Sequence, residues 1–386
     1  MRFRHRDGTT VHLAYGTNVH PAEDVDGLIA QLHRYGEPVR AALGVDRMGL
    51  GLWLPAPAAA RLVAEPGQLT RLRDALDRAG LEVVTLNAFP YAHFHAPVVK
   101  HAVYRPDWTE RSRLDYTLDC AQVLAALLPD DASRGSISTL PLGWRSPWSP
   151  ADQAGALAQL DQLAEGLAAV AARTGRTVRV GIEPEPGCVV ETTADAVAHL
   201  GTIDTEYIGM CLDTCHLSTA FEDPVASVAA LEVAGLPVVK AQLAAALHVD
   251  RPADSRARAA LAGFAEDRFL HQVRELDGEV LGRDDLPEAL DGALPGAGPW
   301  RVHFHVPVHA ELAAPLASTR DVLVSAAAAL LGGARARTDH LEVETYTWSV
   351  LPQDQRPTDD AGLVAGLVAE LGWARARLLE LGLADA

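Results

Sequence analysis

The stretch Tyr207–Asp213, with the sequence YIGMCLD, decides the fold, and it runs directly into Thr214-Cys215-His216. Its apolar residues are typical of a buried strand in a parallel sheet. The predicted strand ends on a carboxylate, and a histidine follows three residues later. Enzymes built on parallel strands carry functional side chains at the carboxyl ends of those strands. We therefore expect Asp213 and His216 to lie at a functional site.

Runs of the same kind recur along the chain and alternate with longer amphipathic stretches, which is the pattern of strand–helix units around a parallel sheet. Eight strands, each followed by a helix, predict an α/β fold of the (β/α)₈ TIM-barrel type, as a single domain over residues 1–386. The predicted strands are Val11–Val19, Arg47–Leu54, Leu81–Phe89, Gly135–Leu142, Thr177–Glu185, Tyr207–Asp213, Leu236–Leu243 and His340–Tyr346. The predicted helices are Asp24–Leu43, Ala58–Ala79, Arg111–Leu128, Ala151–Ala172, Thr193–Leu200, Pro224–Ala234, Thr319–Leu331 and Ala361–Leu383.

One long segment, residues 244–316, interrupts this alternation after the seventh strand. It contains two further strand-like runs, Phe269–Arg274 and Trp300–Val308. Because an insertion that follows a barrel strand lies on the carboxyl-terminal face, we expect a hairpin-like cap over the pocket.

Composition limits the possible partners. The chain has 386 residues, 48% of them apolar, and a formal net charge of −18, which disfavours phosphate backbones and anionic lipid surfaces. No segment approaches ~18 uninterrupted apolar residues, and the amino-terminal stretch lacks the apolar run of a signal peptide. Four cysteines are too few for a disulfide framework in a chain of this length. We therefore expect a cytoplasmic protein with no nucleic-acid partner and no membrane insertion.

Polar residues end four successive predicted strands, the fifth to the eighth. Glu183, Asp213, Gln242 and Glu344 would bring oxygen atoms to one side of the barrel mouth. Carboxylates packed this closely repel one another unless a cation lies between them. Oxygen donors suit Mn²⁺, Mg²⁺ or Zn²⁺, and open coordination positions leave room for a substrate. The sequence therefore predicts a divalent metal held by these four residues.

These motifs resemble those of known proteins. The spacing Glu183…Asp213-x-x-His216…Glu344 is similar to that of the xylose-isomerase-like barrel superfamily, which includes sugar isomerases, sugar epimerases and endonuclease IV. The chain also resembles the EboE family, the barrel proteins of bacterial Ebo metabolite-traffic clusters. That second resemblance rests on TNVHPAED (Thr17–Asp24), SISTLPLGWR (Ser136–Arg145), GIEPEPG (Gly181–Gly187), CLDTCH (Cys211–His216), FLHQVRE (Phe269–Glu275), HFHVPVH (His303–His309) and EVETYTW (Glu342–Trp348).

The resemblance implies roles for individual residues. It implies that Glu183, Asp213 and Glu344 bind a metal, and that the two glutamates move the proton next to a substrate carbonyl, with His216 beside them. The seventh strand of the superfamily usually supplies a histidine, whereas Gln242 stands here. An oxygen in place of an imidazole nitrogen favours Mn²⁺ or Mg²⁺ over Zn²⁺. The Ebo resemblance implies other Ebo-cluster proteins as partners.

Structural alternatives compete with these roles. Glu183 and Glu344 could form buried ion pairs with Lys240 or Arg179, and Asp213 could simply cap the helix that follows it. The Cys211–Cys215 pair lacks a zinc-ligand spacing, so small buried hydrophobes are the favoured interpretation.

His303, His305 and His309 alternate along the predicted inserted strand, with Pro307 between them. They could bind metal, or they could form the solvated face of an edge strand.

The rim of the predicted mouth carries residues placed to contact a small-molecule metabolite. The predicted substrate-binding residues are Asn18, His20, Asn87, Trp144, Arg145, Glu185, His271, His305 and His309, and the predicted catalytic residues are Glu183, Glu344 and His216.

Three functions remain open at this point. The first is isomerisation or epimerisation of a sugar-like metabolite by metal-assisted proton transfer. The second is a non-catalytic carrier of a natural-product intermediate, which the apolar residues Trp53, Phe89, Tyr91, Phe94, Trp144 and Trp148 would suit. The third, an endonuclease IV-like nuclease, is disfavoured by the net charge.

Overall fold

The computed structural model describes residues 1–386, and its centre is a closed ring of eight parallel strands. The ring has the order β14-β8-β7-β6-β5-β4-β3-β2, and pairing of β14 with β2 closes it. The predicted (β/α)₈ barrel is thereby confirmed. The strands of the chain are β1 Arg2–Arg4, β2 Thr10–Gly16, β3 Met48–Trp53, β4 Leu81–Asn87, β5 Gly135–Thr139, β6 Val178–Ile182, β7 Ile208–Asp213, β8 Val238–Leu243, β9 Ala245–Val249, β10 Val273–Asp277, β11 Glu279–Arg283, β12 Trp300–Val306, β13 Ala317–Ser318, β14 His340–Val343 and β15 Ala384–Asp385.

Helices follow the barrel strands at the predicted positions. The first predicted helix is divided by a π-helical turn, Leu32–Gly36, and the second is divided at Glu65. The short helix α8, which carries His216, was not predicted, because six residues are too few to show a helical period. The helices are α1 Val25–Gln31, α2 Glu37–Leu43, α3 Ala56–Ala64, α4 Pro66–Ala79, α5 Arg111–Leu127, α6 Pro150–Thr174, α7 Thr193–Leu200, α8 Thr214–Thr219, α9 Pro224–Val233, α10 Ser255–Ala262, α11 Leu286–Glu288, α12 Arg320–Leu331 and α13 Asp360–Glu380.

Several barrel strands end earlier than their sequence pattern predicts. β6 ends at Ile182 and β14 at Val343, so Glu183 and Glu344 are the first residues beyond their strands. Both keep one backbone contact with the neighbouring strand: the amide of Glu183 donates to Thr139 O at 3.0 Å and that of Glu344 to Leu243 O at 3.3 Å. These bonds fix both glutamates at the barrel mouth.

The segment 244–316 forms most of a second sheet, with the order β11-β10-β12-β9-β13 and antiparallel pairing throughout. The predicted strand Trp300–Val308 corresponds to β12. The predicted strand Phe269–Arg274 is placed too early, because β10 starts only at Val273. β9 follows β8 after a single residue, Ala244, and its alanine-rich sequence gave no strand signal.

Two glycines leave room for a charged residue inside the barrel. A Cβ atom on Gly51 would lie 2.2 Å from Cδ of Glu342, and one on Gly16 would lie 2.7 Å from Oε1 of the same glutamate. Only glycine permits this approach without displacing the side chain. The barrel centre is therefore built around the Glu342 carboxylate.

A search of the helices for membrane spans gives a negative result: none of them combines the length and the apolar character that crossing a bilayer requires.

Candidate active site

Three carboxylates from three strand ends meet at the barrel mouth. Glu183 follows β6, Asp213 ends β7 and Glu344 follows β14, and each offers an oxygen within 4.8 Å of the other two. All three side chains are buried. We call these residues the carboxylate centre.

No lysine or arginine forms an ion pair with the carboxylate centre. Burial raises the pKa of Glu183 well above its usual range, and the nearby Glu344 and Asp213 raise it further. Burial also raises the pKa values of Asp213 and Glu344. Oε2 of Glu183 and Oδ2 of Asp213 are buried and have no hydrogen-bond partner. Since buried polar atoms are normally paired, these two oxygens and their repulsion fit a divalent cation.

The two carboxylate oxygens of Asp213 have different contacts. Oδ1 accepts from the backbone amides of Cys215 at 2.6 Å and His216 at 3.0 Å and so caps α8. Oδ2 makes no such bond and lies within the carboxylate centre. Helix capping is thus present, but it accounts for only one oxygen of this side chain.

Two asparagines orient Glu344. The side-chain amides of Asn18 and Asn87 donate to its Oε1 at 2.7 and 2.8 Å. Both asparagines are buried and line the pocket described below. Their positions after β2 and at the end of β4 explain why distant segments converge on one carboxylate.

Gln242 lies beside Glu344, but with its amide nitrogen facing it. Nε2 donates to Oε2 of Glu344, while Oε1 accepts from Sγ of Cys211 at 2.8 Å. The oxygen that the sequence predicts as a metal ligand therefore faces Cys211 in this arrangement.

Lys240, the buried lysine of β8, forms an ion pair with Glu342, which lies outside the carboxylate centre. Nζ of Lys240 donates to Oε2 of Glu342 at 2.7 Å, and both side chains are fully buried. Arg179 donates to the backbone oxygen of Thr205. The alternative that Lys240 or Arg179 forms an ion pair with Glu183 or Glu344 is therefore wrong.

His216 connects the carboxylate centre to Glu185. Its Nδ1 lies 3.6 Å from Oε1 of Glu183, and its Nε2 lies 3.1 Å from Oε2 of Glu185. The hydroxyl of Tyr104 donates to Oε1 of Glu185 at 2.8 Å. Burial raises the pKa of Glu185 well above its usual range.

A pocket of about 490 Å³, including its opening, leads to these groups. Its polar lining residues include Asn18, Asn87, Glu183, Glu185, His216 and Glu344. The aromatic lining residues are Phe89, Phe94, Tyr104, Phe269 and Tyr346.

Sequence reasoning missed several of these lining residues. Tyr104 comes from the long connection after β4, and Phe269 and Leu270 come from the loop before β10. The one signal available was the length of these connections, because long loops on the carboxyl-terminal face of a barrel often carry functional residues.

Six predicted substrate-binding residues lie away from the pocket lining, and one of them, His305, belongs to the inserted strand described below. His20 stacks on Tyr35 with ring centroids 4.1 Å apart, and burial lowers its pKa to about 3. Arg145 forms an ion pair with Asp284 at 2.6 Å. The remaining three are engaged with other side chains: Trp144 with Tyr104, His271 with Glu266, and His309 with Trp348.

Of the six aromatic residues expected at the rim, Phe89 and Phe94 line the pocket. Trp53 is instead buried, with its indole nitrogen donating to Pro90 O at 2.9 Å. Tyr91 packs on Tyr116, and Trp148 donates to Gln153.

His303 and His305 lie on β12 and are buried next to His216. Their side chains contact the site, and the alternative of a solvated face is wrong for this pair. His309 is only partly buried and lies outside this group.

Comparison with known proteins places this geometry in a family. The sequence profile of the Xylose isomerase-like TIM barrel family matches residues 39–275. A search of curated proteins gave no sequence match.

Three solved structures illustrate the similarity of fold. A D-allulose 3-epimerase from Methylomonas sp. is 14% identical, with a TM-score of 0.51 over 98% of this chain and 100% of that chain. A Xylose isomerase-like TIM barrel protein from Mycobacterium smegmatis, in complex with magnesium, is 12% identical, with a TM-score of 0.52 over 95% and 98% of the two chains. An L-ribulose 3-epimerase is 13% identical, with a TM-score of 0.50 over 96% and 95%.

At identities of 12–14%, these structural similarities show a common fold alone. Because the family profile spans more than half of the sequence, the chain belongs to the xylose isomerase-like TIM barrel family.

Proposed function

We propose that the protein is a divalent-metal-dependent enzyme that moves a proton next to the carbonyl group of a small polyhydroxylated metabolite, as an isomerase or epimerase does. One observation carries this proposal. Glu183, Asp213 and Glu344 converge in a buried group with two unpartnered oxygens, and a pocket opens onto them.

The residues present fit the metal that this family suggests. Glu183, Asp213 and Glu344 would hold it through carboxylate oxygens, and Mn²⁺ or Mg²⁺ suits such hard donors better than Zn²⁺. Gln242 would become a fourth ligand after a half-turn of its amide, which places Oε1 toward Glu344 and Nε2 toward Cys211. When bound, the cation would stabilise negative charge that develops on a substrate oxygen.

The chain itself would supply the proton transfers. Glu183 and Glu344 are the proposed acid and base, because both carboxylates line the pocket and lie close to each other. Asn18 and Asn87 would hold Glu344 in position. His216, which also lines the pocket, would contact the substrate.

The pocket lining supports a small ligand with both polar and apolar parts. Glu185, Asn18 and Asn87 offer hydrogen-bonding groups, while Phe94 and Phe269 offer apolar surface. Residues 244–316 contribute Phe269, Leu270 and His303 to this lining. We propose that this segment acts as a cap within a single barrel domain over residues 1–386.

We further propose that the protein works in the cytoplasm, in an Ebo-type metabolite traffic pathway with other Ebo-cluster proteins as partners. The motifs that resemble the EboE family support this assignment. GIEPEPG, CLDTCH and EVETYTW contain the three carboxylates, and HFHVPVH contains the two buried histidines beside them.

A carrier function is the second candidate. The aromatic lining residues support it, because Phe89, Phe94, Phe269 and Tyr346 would suit a ligand with an aromatic or prenyl group. A nuclease has less support, because Lys100 is the one lysine or arginine in the pocket lining and it is paired with Asp285.

Hydrogen exchange from solvent separates the two candidates. The full chain, loaded with Mn²⁺, is incubated in D₂O with a panel of ketoses and with any small molecule that copurifies. An enzyme incorporates deuterium next to the carbonyl, and Glu183→Gln and Glu344→Gln each lower the rate by roughly 10²–10⁴-fold. Glu165→Gln, on the outer face of α6, is the matched control and keeps the full rate.

Exchange that persists in both variants would contradict the assigned roles of these glutamates. Tight binding of a copurifying molecule without exchange in the unaltered chain would favour the carrier.

A further inference from the structure

A second cavity, of about 670 Å³, lies at the amino-terminal ends of the barrel strands. Its lining residues come from the segments in which β2, β6, β8 and β14 begin, whereas the carboxylate centre lies where β6, β7 and β14 end. None of these residues lines the pocket at the barrel mouth. The volume is within the range of small-molecule sites. We call this space the amino-terminal cavity.

The lining of the amino-terminal cavity is mostly polar. It contains three arginines, Arg134, Arg179 and Arg337, and two aspartates, Asp131 and Asp339. The other polar side chains of the lining are Thr9, Thr10, His12, Ser133 and Thr338. A hydrophilic ligand is therefore the kind that this cavity would accept.

Four of these five charged side chains have an ionic partner. The pairs are Arg134–Asp339, Arg337–Glu232 and Asp131–Arg2. Arg179 forms no ion pair: its Nη2 donates to the backbone oxygen of Thr205 at 2.7 Å, and its Nε is buried without a hydrogen-bond partner. One guanidinium charge in the lining is thus left without a counter-ion.

The surroundings of Arg179 make this unbalanced charge costly. Burial and, to a smaller extent, the guanidinium of Arg134 lower its pKa to about 10. The carboxylates of Asp339 and Glu206 offset only part of this lowering. An anion in the cavity would stabilise the charged form of Arg179 and accept from the free Nε.

A buried hydroxyl group offers a second donor. Thr338 is 2% exposed, and its Oγ1 has no hydrogen-bond partner. The next residue, Asp339, is bound by Arg134, which precedes β5, and β5 neighbours β6 in the ring. This ion pair therefore holds the segment of Thr338 toward the strand that carries Arg179. Since buried hydroxyl groups are normally paired, the free Oγ1 fits a ligand in the cavity.

We propose that the amino-terminal cavity binds a small metabolite through an oxyanion group, either phosphate or carboxylate, with Arg179 as the cationic contact and Thr338 as a hydroxyl donor. The planar guanidinium presents paired N–H groups that match the oxygens of both groups. This site goes beyond the proposed proton transfer. The buried Lys240–Glu342 ion pair lies between the two ends of the barrel, so a molecule bound here does not reach the carboxylate centre.

Calorimetric titration of the full chain, after removal of metal with a chelator, tests this proposal with inorganic phosphate and succinate as separate probes. At least one of them should bind, and the affinity should fall as sodium chloride is added. Arg179→Gln should weaken binding by more than about 10-fold, and Thr338→Val by roughly 3–10-fold, because each removes a hydrogen bond to a charged group. Arg173→Gln, on the exposed surface of α6, is the matched control and should keep full affinity.

Glu183→Gln separates this site from the proposed active site. It should lower the hydrogen exchange described above and leave anion binding unchanged. Exchange that persists in this variant would refute the proposed enzyme and leave the amino-terminal site standing. Loss of anion binding would place the anion at the carboxylate centre and overturn the present proposal.

Crystals of the unaltered chain soaked in tungstate provide a second measurement that does not depend on how the variants fold. An anomalous peak beside the guanidinium of Arg179 is expected. Binding of phosphate alone, or of succinate alone, supports the proposal and identifies the group that is recognised. The proposal is overturned if neither anion binds in solution, if Arg179→Gln binds as tightly as the unaltered chain, or if tungstate occupies only other positions.

Discussion

Two charged layers lie two residues apart on the same strands, and only one of them is neutralised by the chain. In the lower layer, Lys240 of β8 and Glu342 of β14 form an ion pair at 2.7 Å with both side chains 0% exposed. In the upper layer, the neutral Gln242 and Glu344 occupy the corresponding positions, and Glu183 and Asp213 add two further carboxylates. The chain supplies the counter-charge below, whereas the layer that opens to the pocket needs it from outside.

Removing the lysine should produce the largest effect on folding. Lys240→Met leaves Glu342 buried without a cation, which should lower the free energy of unfolding by roughly 3–5 kcal/mol. Urea unfolding measures the change. The double variant Lys240→Met/Glu342→Leu is the control and should recover most of the loss, because it removes the uncompensated charge as well. Equal destabilisation in both variants would show that packing, and not charge, holds the lower layer.

Removing an orienting amide should have a smaller effect, confined to the upper layer. Asn87→Ala deletes one of the two donors to Glu344 and should weaken Mn²⁺ binding by roughly 10–100-fold, as measured by calorimetry. Gln153→Ala, an amide on α6 outside the barrel, serves as the control and should leave binding unchanged. If Asn87→Ala binds Mn²⁺ as well as the unaltered chain does, Glu344 does not depend on this bond for its position.

The smallest expected effect is a pH dependence of metal-free stability. Burial and neighbouring carboxylates raise the folded-state pKa of Glu183 above its ordinary value of 4.5. Its proton is therefore held more tightly when folded, and the stability that this provides is lost as the pH rises above about 4.5 toward the folded-state pKa.

Glu183→Gln removes this titration. The metal-free melting temperature of the variant, relative to the unaltered chain, should be nearly unchanged at about pH 5 and rise by a few degrees at about pH 8. A constant difference across that range would mean that Glu183 is not repelled by its neighbours.

The barrel could be predicted from sequence because each strand is a short apolar run bounded by turns. The errors in the predicted strands lie mainly at their carboxyl ends. The run Thr177–Glu185 continues past Ile182, where β6 ends, since Glu183 and Glu185 keep the alternation of a strand while the chain turns into the mouth. β9 escaped prediction because its alanines carry little strand preference.

The convergence of Glu183, Asp213 and Glu344 could also be predicted, because parallel strands of a closed ring bring their carboxyl ends together. The orientation of Gln242 could not, since it depends on Cys211 and Glu344, which lie on different strands. The place of Tyr104 in the site could not be predicted either, because its hydrogen-bond partner Glu185 is distant in sequence.

Crystals grown with Mn²⁺ and measured for anomalous scattering test the central claim most directly. We predict a strong anomalous peak among the carboxylate oxygens of Glu183, Asp213 and Glu344, and none beside the Lys240–Glu342 pair. The absence of a peak at the upper layer, at Mn²⁺ concentrations that saturate binding in solution, would contradict the account.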